Sequence, residues 1–322
     1  MKNIIVTGGA GYVGSHVCKF LKLKGFNPIT IDNLSNGYRS FVKWGPLIVC
    51  DIKNYNSLNK IFTKFKPIAV IHLASNIEAE ISIKDPIKFY ENNISNSISL
   101  LKAMHQNNIN KIIFSSSAAI YKTKNKKIFE NDYLSANSPY GTSKLIVEKI
   151  IEDFSKYKNF KYIFLRYFNA SGADKKLEIG ELHKNETHLI PICIEAGFKK
   201  KIFNIYGTNY KTPDGSTIRD FVHVTDLANA HFLSLKYLIN KNKSDVFNVG
   251  TGNGFSTLKI VEKLNKKNLK IKYKLSKRRE GDSAYLVSNI NKIKKKLNFK
   301  PKHSIDSILD SAVKYYKKIN NL

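Results

Sequence analysis

The stretch "NIIVTGGAGYVGSH" (residues 3–16) decides how the chain is read. A short apolar run enters a glycine cluster and continues into residues with helical spacing. Gly9, Gly11 and Gly14, with Gly8 just before them, satisfy G-x-G-x-x-G between a strand and a helix. Glycines permit the tight turn, and bare amides at a helix N-terminus can receive a pyrophosphate. The second strand, "PITID", ends at Asp32, eighteen residues beyond Gly14. A carboxylate there binds the adenosine ribose hydroxyls and repels a 2′-phosphate, so the pattern predicts NAD rather than NADP. "CDIKN" supplies Asp51 and Ile52 where adenine is expected.

Outward from this unit the rhythm repeats. "PLIVCD", "AVIHLA", "KIIFSSS" and "YIFLRYF" read as strands, with helices near 14–24, 56–65, 86–108 and 140–157. Continuous apolar strands alternating with helices predict an α/β fold, a doubly wound parallel sheet of Rossmann type covered on both faces. After about residue 170 the rhythm breaks into loops and shorter helices. The expected division is a dinucleotide-binding domain over 1–170, with a returning strand near 246–250 ("VFNVG"), and a smaller substrate-binding domain over 171–322.

A chain of 322 residues that is 42% hydrophobic can bury a large core, which argues against a disordered class. "MKNIIV" is too short for a signal peptide, and no run approaches a membrane span. Cys18, Cys50 and Cys193 are scattered and odd in number, without metal-ligand spacing. A soluble, cytoplasmic protein is expected, without a metal site. The net charge of +29 raises the alternative of a nucleic-acid or anionic-surface binder. The lysines, however, are spread through the chain with Asn and Ile, and the densest runs carry interleaved apolar residues, as solvated faces of amphipathic elements do. Neither nucleic acid nor membrane is expected as a partner. The five arginines, Arg39, Arg166, Arg219, Arg278 and Arg279, stand against forty-nine lysines and mark places where a planar, bidentate donor is needed.

At the end of the fifth strand stands "FSSSAAIY" (114–121), and twenty-three residues after Ser117 comes Tyr140 in "SPYGTSK" (138–144). Ligands of parallel sheets lie beyond the carboxyl ends of the strands, so Ser117 faces the same crevice as the glycine loop. Pro139 opens a helix that carries Tyr140 and Lys144 on one face at i, i+4. Moving a phenol from ~10 to near 7 takes ~4 kcal/mol. A nearby ammonium and an oxidised nicotinamide are expected to supply it. Tyr140 is then the base.

With these segments the chain resembles the extended short-chain dehydrogenases/reductases, and among them the UDP-glucose 4-epimerases. "TGGAGYVGSH", "DNLSNG", "IHLAS", "FYENN", "SSSAAIY", "SPYGTSK", "LRYFNASGA", "DGSTIRDFVHVTDLA" and "RREGD" follow that family's order almost end to end. The resemblance implies that Ser117, Tyr140 and Lys144 form the catalytic set. It implies NAD-lining roles for Tyr12, Val13, Asp32, Asn33, Leu34, Ser35, Asn36, Gly37, Asp51 and Ile52, and for Leu73, Ala74, Ser75, Ile77, Asn92 and Phe168. Asn169, Leu189, Arg219, Arg279 and Asp282 would hold the UDP-sugar, and Leu286 falls where the family controls access for an N-acetyl group. Ile77, Lys122 and Thr142 depart from the family's frequent residues at peripheral positions. A homodimer is implied, with the helix of Phe89 and Tyr90 near its interface, although core packing also explains those two rings.

The implied reaction interconverts UDP-galactose and UDP-glucose through a 4-keto intermediate, with hydride held transiently on tightly bound NAD. UDP-N-acetylglucosamine 4-epimerisation is the alternative with the same chemistry. Related dehydratases need an acidic pair after the strand-end serine, and related decarboxylases a glutamate. Ala118 and Ala119 stand there, so neither elimination nor decarboxylation has its acid. His72 and His223 read as packed or structural histidines, and Trp44 as a packing residue.

Overall fold

The computed structural model describes residues 1–279 and 282–322; Glu280 and Gly281 of the "RREGD" motif lie outside the described residues. The first half of the chain builds β1 (Asn3–Thr7), α1 (Tyr12–Leu23), β2 (Asn27–Asp32), β3 (Leu47–Val49), α2 (Tyr55–Phe65) and β4 (Ala69–His72). It continues through α3 (Ala79–Lys84), α4 (Pro86–Tyr90), α5 (Asn96–Gln106), β5 (Lys111–Ser117), α6 (Pro139–Lys158) and β6 (Lys161–Tyr167). The second half adds β7 (Asn169–Ser171), α7 (Leu189–Phe198), β8 (Phe203–Tyr206), β9 (Ile218–His223), α8 (Val224–Lys241) and β10 (Asp245–Val249). Last come β11 (Gly254–Ser256), α9 (Thr257–Asn265), β12 (Tyr273–Ser276), β13 (Tyr285–Leu286), α10 (Asn291–Leu297) and α11 (Ile305–Ile319).

Seven parallel strands form one sheet in the order β3-β2-β1-β4-β5-β6-β10. The order reverses between β1 and β4, which opens a crevice above the carboxyl ends of the strands. Alternation along the strands explains why they read as unbroken apolar runs. Ile4 and Val6 face a core with Val17 and Leu21 of α1, Leu227 and Leu235 of α8, and Ile293 of α10. Ile5 faces the other, with Leu58 and Phe62 of α2, Leu100 of α5 and Val147 and Ile151 of α6. A strand covered on both faces has no polar side to display. The expected returning strand is β10, which pairs with β6 from Asp245↔Ile163 to Val249↔Tyr167.

A separate apolar cluster joins α7, α9 and α11 through Ile190, Cys193, Ile260, Leu264, Ile308 and Leu309. Beside it, β9 is flanked by β11 and β13 and also pairs with β7, while β8 pairs with β12. Asp220 on β9, fully buried, accepts hydrogen bonds from the amides of Thr251, Gly252 and Ser288 and fastens three backbone segments together.

The helix expected over 86–108 is interrupted. A π-helical turn at Glu91–Ser95 separates α4 from α5. Such a turn inserts a residue without changing the apolar spacing on either side, and it re-aims the side chains it carries. Other boundaries follow local chemistry. Ser138 accepts from the Gly141 amide to cap α6, with Pro139 in the first turn. Asn159, Asn242 and Asn298 close α6, α8 and α10 in the left-handed conformation, at φ of 54°, 50° and 51°. In this Asn-rich chain asparagine takes a position that glycine often fills. Phe89 is fully buried within the chain, as core packing required, and His72 is a core histidine held by Thr7 and Ser97. Burial pushes the His72 imidazole down to about 3.

Candidate active site

The crevice contains a cavity of about 520 Å³, within the range of small-molecule sites. Its floor is the glycine loop. Gly11 precedes α1 without any side-chain cap, so the first-turn amides are available to an anion. A Cβ at Gly14 would stand 2.1 Å from the Gly8 carbonyl oxygen, so only glycine lets the helix start this close to the turn. Asp32 accepts hydrogen bonds from the amides of Ala10 (3.0 Å) and Leu34 (2.8 Å). Burial raises its pKa above the ordinary carboxylate value, against the pull of those amides. An uncapped helix start, a loop with no room for side chains and an oriented carboxylate fit a dinucleotide.

Gly8, Gly11, Tyr12, Val13 and Gly14 line the cavity from the loop, and Asp32, Asn33, Ser35, Asn36 and Gly37 from the end of β2. Two residues expected there do not reach it. Gly9 faces inward, where a Cβ would stand 2.8 Å from the Thr30 hydroxyl, so its glycine serves packing. Leu34 takes φ 59° and contributes its amide to Asp32 instead of its side chain to the wall. Asp51 and Ile52 reach the wall after β3, and Phe168 reaches it after β6.

Leu73, Ala74, Ser75 and Ile77 follow β4 into the cavity, and the π-helical turn holds this loop. Asn92 and Asn93 both accept from the Asn76 amide, at 3.0 and 2.8 Å. Asn93 also donates to the Ser143 hydroxyl at 2.9 Å, and Ser143 donates to the Tyr140 carbonyl at 2.7 Å. The inserted residue thus ties the cofactor-side loop to the helix of Tyr140. Asn92 lines the cavity as expected.

Ser117, Tyr140 and Lys144 open on the same cavity. Lys144, 3% exposed, donates to Ser75 Oγ (2.8 Å) and to the Ser115 carbonyl (2.9 Å). Its Nζ lies 5.9 Å from the Tyr140 ring centre. Burial lowers the lysine to about 7, with Glu148 opposing. Burial raises Tyr140 above its ordinary value, and only the Ser117 hydroxyl pulls it down. The expected shift of the phenol toward 7 is therefore not present in the chain alone. Both groups are desolvated, and the ammonium is aimed at Ser75 and Ser115, so the lysine gives up charge before the phenol gains it.

On the opposite wall, Asn169, Leu189, Arg279, Asp282 and Leu286 line the cavity. Arg219 does not. It lines an adjoining cavity of about 480 Å³ that shares Asn169, Leu189, Arg279 and Asp282 with the first. Arg219 is held by the Asp282 carboxylate at 2.8 Å and by the Ser283 carbonyl at 2.8 Å. Arg279 lies over the Tyr206 ring at 3.9 Å and faces Glu80 of α3 at 3.8 Å. Arg166, by contrast, is buried away from the cavity. It forms a bidentate pair with Glu148 of α6, at 2.9 and 2.5 Å, and donates to the Tyr121 hydroxyl, which donates to Asn248 of β10. Its planar fork serves the fold.

Residues 4–250 match the family model described as the NAD dependent epimerase/dehydratase family. The chain belongs to that family. It is 41% identical to the UDP-glucose 4-epimerase of Rhizobium meliloti (strain 1021), over 99% of this chain and 98% of the relative. Among solved structures, the UDP-glucose 4-epimerase from Brucella ovis in complex with NAD superposes with a TM-score of 0.95 at 38% identity, covering 98% of each chain. The enzyme of that name from Bifidobacterium longum, in complex with NAD+ and UDP, gives 0.94 at 32% identity over 99% of each.

One group of side chains escaped the sequence reading. Glu181, His183, Glu186 and His188, between β7 and α7, come together beside the cavity, whose wall includes His183 and His188. Burial lowers the His188 imidazole, but the Glu181 carboxylate outweighs it and leaves the ring raised to about 9. The signal was present as a doubled E-x-H in "ELHKNETHL" (181–189), where no cysteine drew attention to it.

Proposed function

We propose that the chain is an NAD-dependent UDP-glucose 4-epimerase that interconverts UDP-galactose and UDP-glucose through a 4-keto sugar. One observation carries this reading. The strand-end serine, the tyrosine and the lysine share a cavity with the glycine loop, and that cavity continues into one lined by Arg219 and Arg279. A dinucleotide and a diphosphate-linked sugar then meet at one phenol.

In this reading Tyr140 takes the proton of the sugar 4-hydroxyl and later returns it, while Ser117 bonds the phenolic and sugar oxygens. Bound oxidised nicotinamide supplies the hydride acceptor and a positive charge. Because burial holds the Tyr140 phenol above 10, the base form depends on positive charge near it. Lys144, poised at about 7, is the residue of the chain placed to respond. Gly8, Gly11, Tyr12, Val13 and Gly14, with the groups beyond β2, β3 and β4, would hold NAD. Asn169, Leu189, Arg219, Arg279 and Asp282 would grip uridine diphosphate, Arg219 being pre-oriented by Asp282. Leu286 stands half-buried beside Phe168 and sets the room next to the sugar.

The allotment to two domains follows the same division, with the seven-stranded sheet for NAD and the smaller unit within 171–322 for the UDP-sugar. We also infer a cytoplasmic homodimer. Three unpaired cysteines suit a reducing compartment, and Ile87, Ile98 and Ile146 expose apolar surface on α4, α5 and α6, where a second copy would cover it. Sedimentation of the purified chain tests the dimer: a monomer at micromolar concentration would refute it.

The test of function is proton NMR of the purified protein with UDP-galactose and no added cofactor. Appearance of UDP-glucose is expected, with NAD carried through purification. No conversion, with UDP-N-acetylgalactosamine also unchanged, would overturn the proposal.

A further inference from the structure

In "ELHKNETHL" the dipeptide pattern E-x-H occurs twice, at Glu181 and His183 and at Glu186 and His188. Residues two apart in extended chain face the same side, so each pattern presents a carboxylate and an imidazole together. A bend at Lys184 and Asn185 folds one pair toward the other. One ligand-capable atom from each of the four residues then lies within 4.8 Å of all the others.

These contacts are close but poorly satisfied. His188 Nδ1 stands 2.8 Å from Glu181 Oε1 and 3.5 Å from Glu186 Oε1, and His183 Nε2 stands 3.7 Å from Glu181 Oε1. None is aligned as a hydrogen bond. Both carboxylate oxygens of Glu181 are buried without a donor, as are His183 Nε2 and His188 Nδ1. The Glu181 side chain is only 5% exposed. Burying an ionised carboxylate with no donor costs several kcal/mol unless something compensates. Lys184, the lysine within the segment, directs its ammonium to the Ser35 carbonyl, so no lysine of the segment neutralises the group and the His188 ring alone faces both carboxylates. A metal ion would take both imidazoles in their neutral form and displace the proton shared between His188 and Glu181; the two carboxylates then carry a charge of −2, which one divalent cation balances.

The ligand chemistry narrows the class. Two imidazole nitrogens with carboxylate oxygens suit a borderline cation such as Zn²⁺, whereas Mg²⁺ and Ca²⁺ prefer oxygen alone. Four ligands at ~2.0–2.1 Å from a tetrahedral Zn²⁺ stand about 3.4 Å apart. The 4.8 Å span must therefore close by a little over an ångström, which an irregular segment with two exposed bend residues can do. Outer contacts already orient the ligands. Glu186 Oε1 accepts from the amides of Thr187 and His188, and the His183 ring meets Tyr12 and His188 edge to face.

We propose that Glu181, His183, Glu186 and His188 bind one divalent transition-metal ion of the zinc class, which fastens the segment between β7 and α7 against the glycine-loop helix. The ion performs no redox or acid–base step. It fixes the start of α7, one residue before Leu189, beside Tyr12, whose hydroxyl donates to the Gly172 carbonyl at 2.6 Å.

The holoenzyme, with its dinucleotide, is dialysed against a chelator and titrated with Zn²⁺ by calorimetry, and crystals of the unaltered protein soaked in Zn²⁺ are measured at the zinc absorption edge. One ion per chain is expected, with an anomalous peak among the four side chains. Glu181→Gln and His183→Gln should each weaken binding at least tenfold. No uptake, no peak among these residues, or equal uptake by folded variants would overturn the proposal and leave a protonated Glu–His ion-pair network. The crystal measurement decides even if a variant fails to fold.

Discussion

Lys144→Met separates what the active site needs from what the fold prefers. The lysine is desolvated, and its pKa falls from 10.5 to about 7, a gap worth about 5 kcal/mol. Below pH 7 the full penalty applies, because both folded and unfolded chains then hold the proton and the folded one holds it at a cost. Between 7 and 10.5 the unfolded chain binds a proton that the folded chain has released, so wild-type stability rises with pH. Above 10.5 the penalty is gone. Methionine removes this dependence. It also leaves Ser75 Oγ and the Ser115 carbonyl without a donor, at roughly 1–3 kcal/mol each, but that loss does not vary with pH. From pH 7 to 9 the wild type should therefore gain about 2 kcal/mol on the variant. Urea unfolding of both proteins at pH 7, 8 and 9, with dinucleotide content matched, measures it. A difference flat within about 0.5 kcal/mol would mean that the folded chain carries this lysine charged, and the desolvation argument would fail.

Tyr140→Phe should lower turnover of UDP-galactose by roughly 10²–10⁴-fold while the protein keeps its fold and its NAD, read by NMR and by absorbance of the released nucleotide. Glu148→Gln should destabilise the chain by about 3–5 kcal/mol in urea, because it strands the buried Arg166 guanidinium; the double variant Glu148→Leu with Arg166→Met should recover much of that loss. Asp32→Ser should raise affinity for NADP relative to NAD at least tenfold in fluorescence titrations, since the carboxylate that repels a 2′-phosphate is gone. The wild type should elute from a polyanion column by ~150 mM salt, as diffuse charge does; retention well above that would reveal a nucleic-acid site.

The glycine loop, the strands and the placement of Ser117, Tyr140 and Lys144 at one cavity were legible because each rests on a local pattern with one geometric solution. Asp32 could be located by counting from Gly14 for the same reason. The π-helical turn was not legible, since the positions buried in and just after it are Asn93, Asn96 and Ser97, which leave no apolar period there to show the inserted residue. Nor was the choice of Ser75 by the Lys144 ammonium, which joins residues sixty-nine positions apart and depends on how a loop folds. Nor was the rise of the Tyr140 phenol in the chain alone, because burial is a property of the assembled site and only the Ser117 hydroxyl opposes it there. Arg166 and Arg219 looked alike in the sequence. Only the fold sends one into a buried pair with Glu148 and the other to the wall of a cavity.

The pairing of β10 with β6 has a consequence for synthesis. Six strands of the sheet have left the ribosome once residue 167 is out, yet Asn248, which completes the Tyr121–Arg166–Glu148 network, follows some eighty residues later. At ~5–20 residues per second that is a wait of roughly 4–16 s. During it the edge of β6 lacks its neighbour, and the helix bearing Tyr140 and Lys144 is anchored to an arginine still short of its final environment. The nascent chain can therefore present a dinucleotide crevice well before its catalytic helix is locked, and a chaperone that shields the open β6 edge would act in that interval.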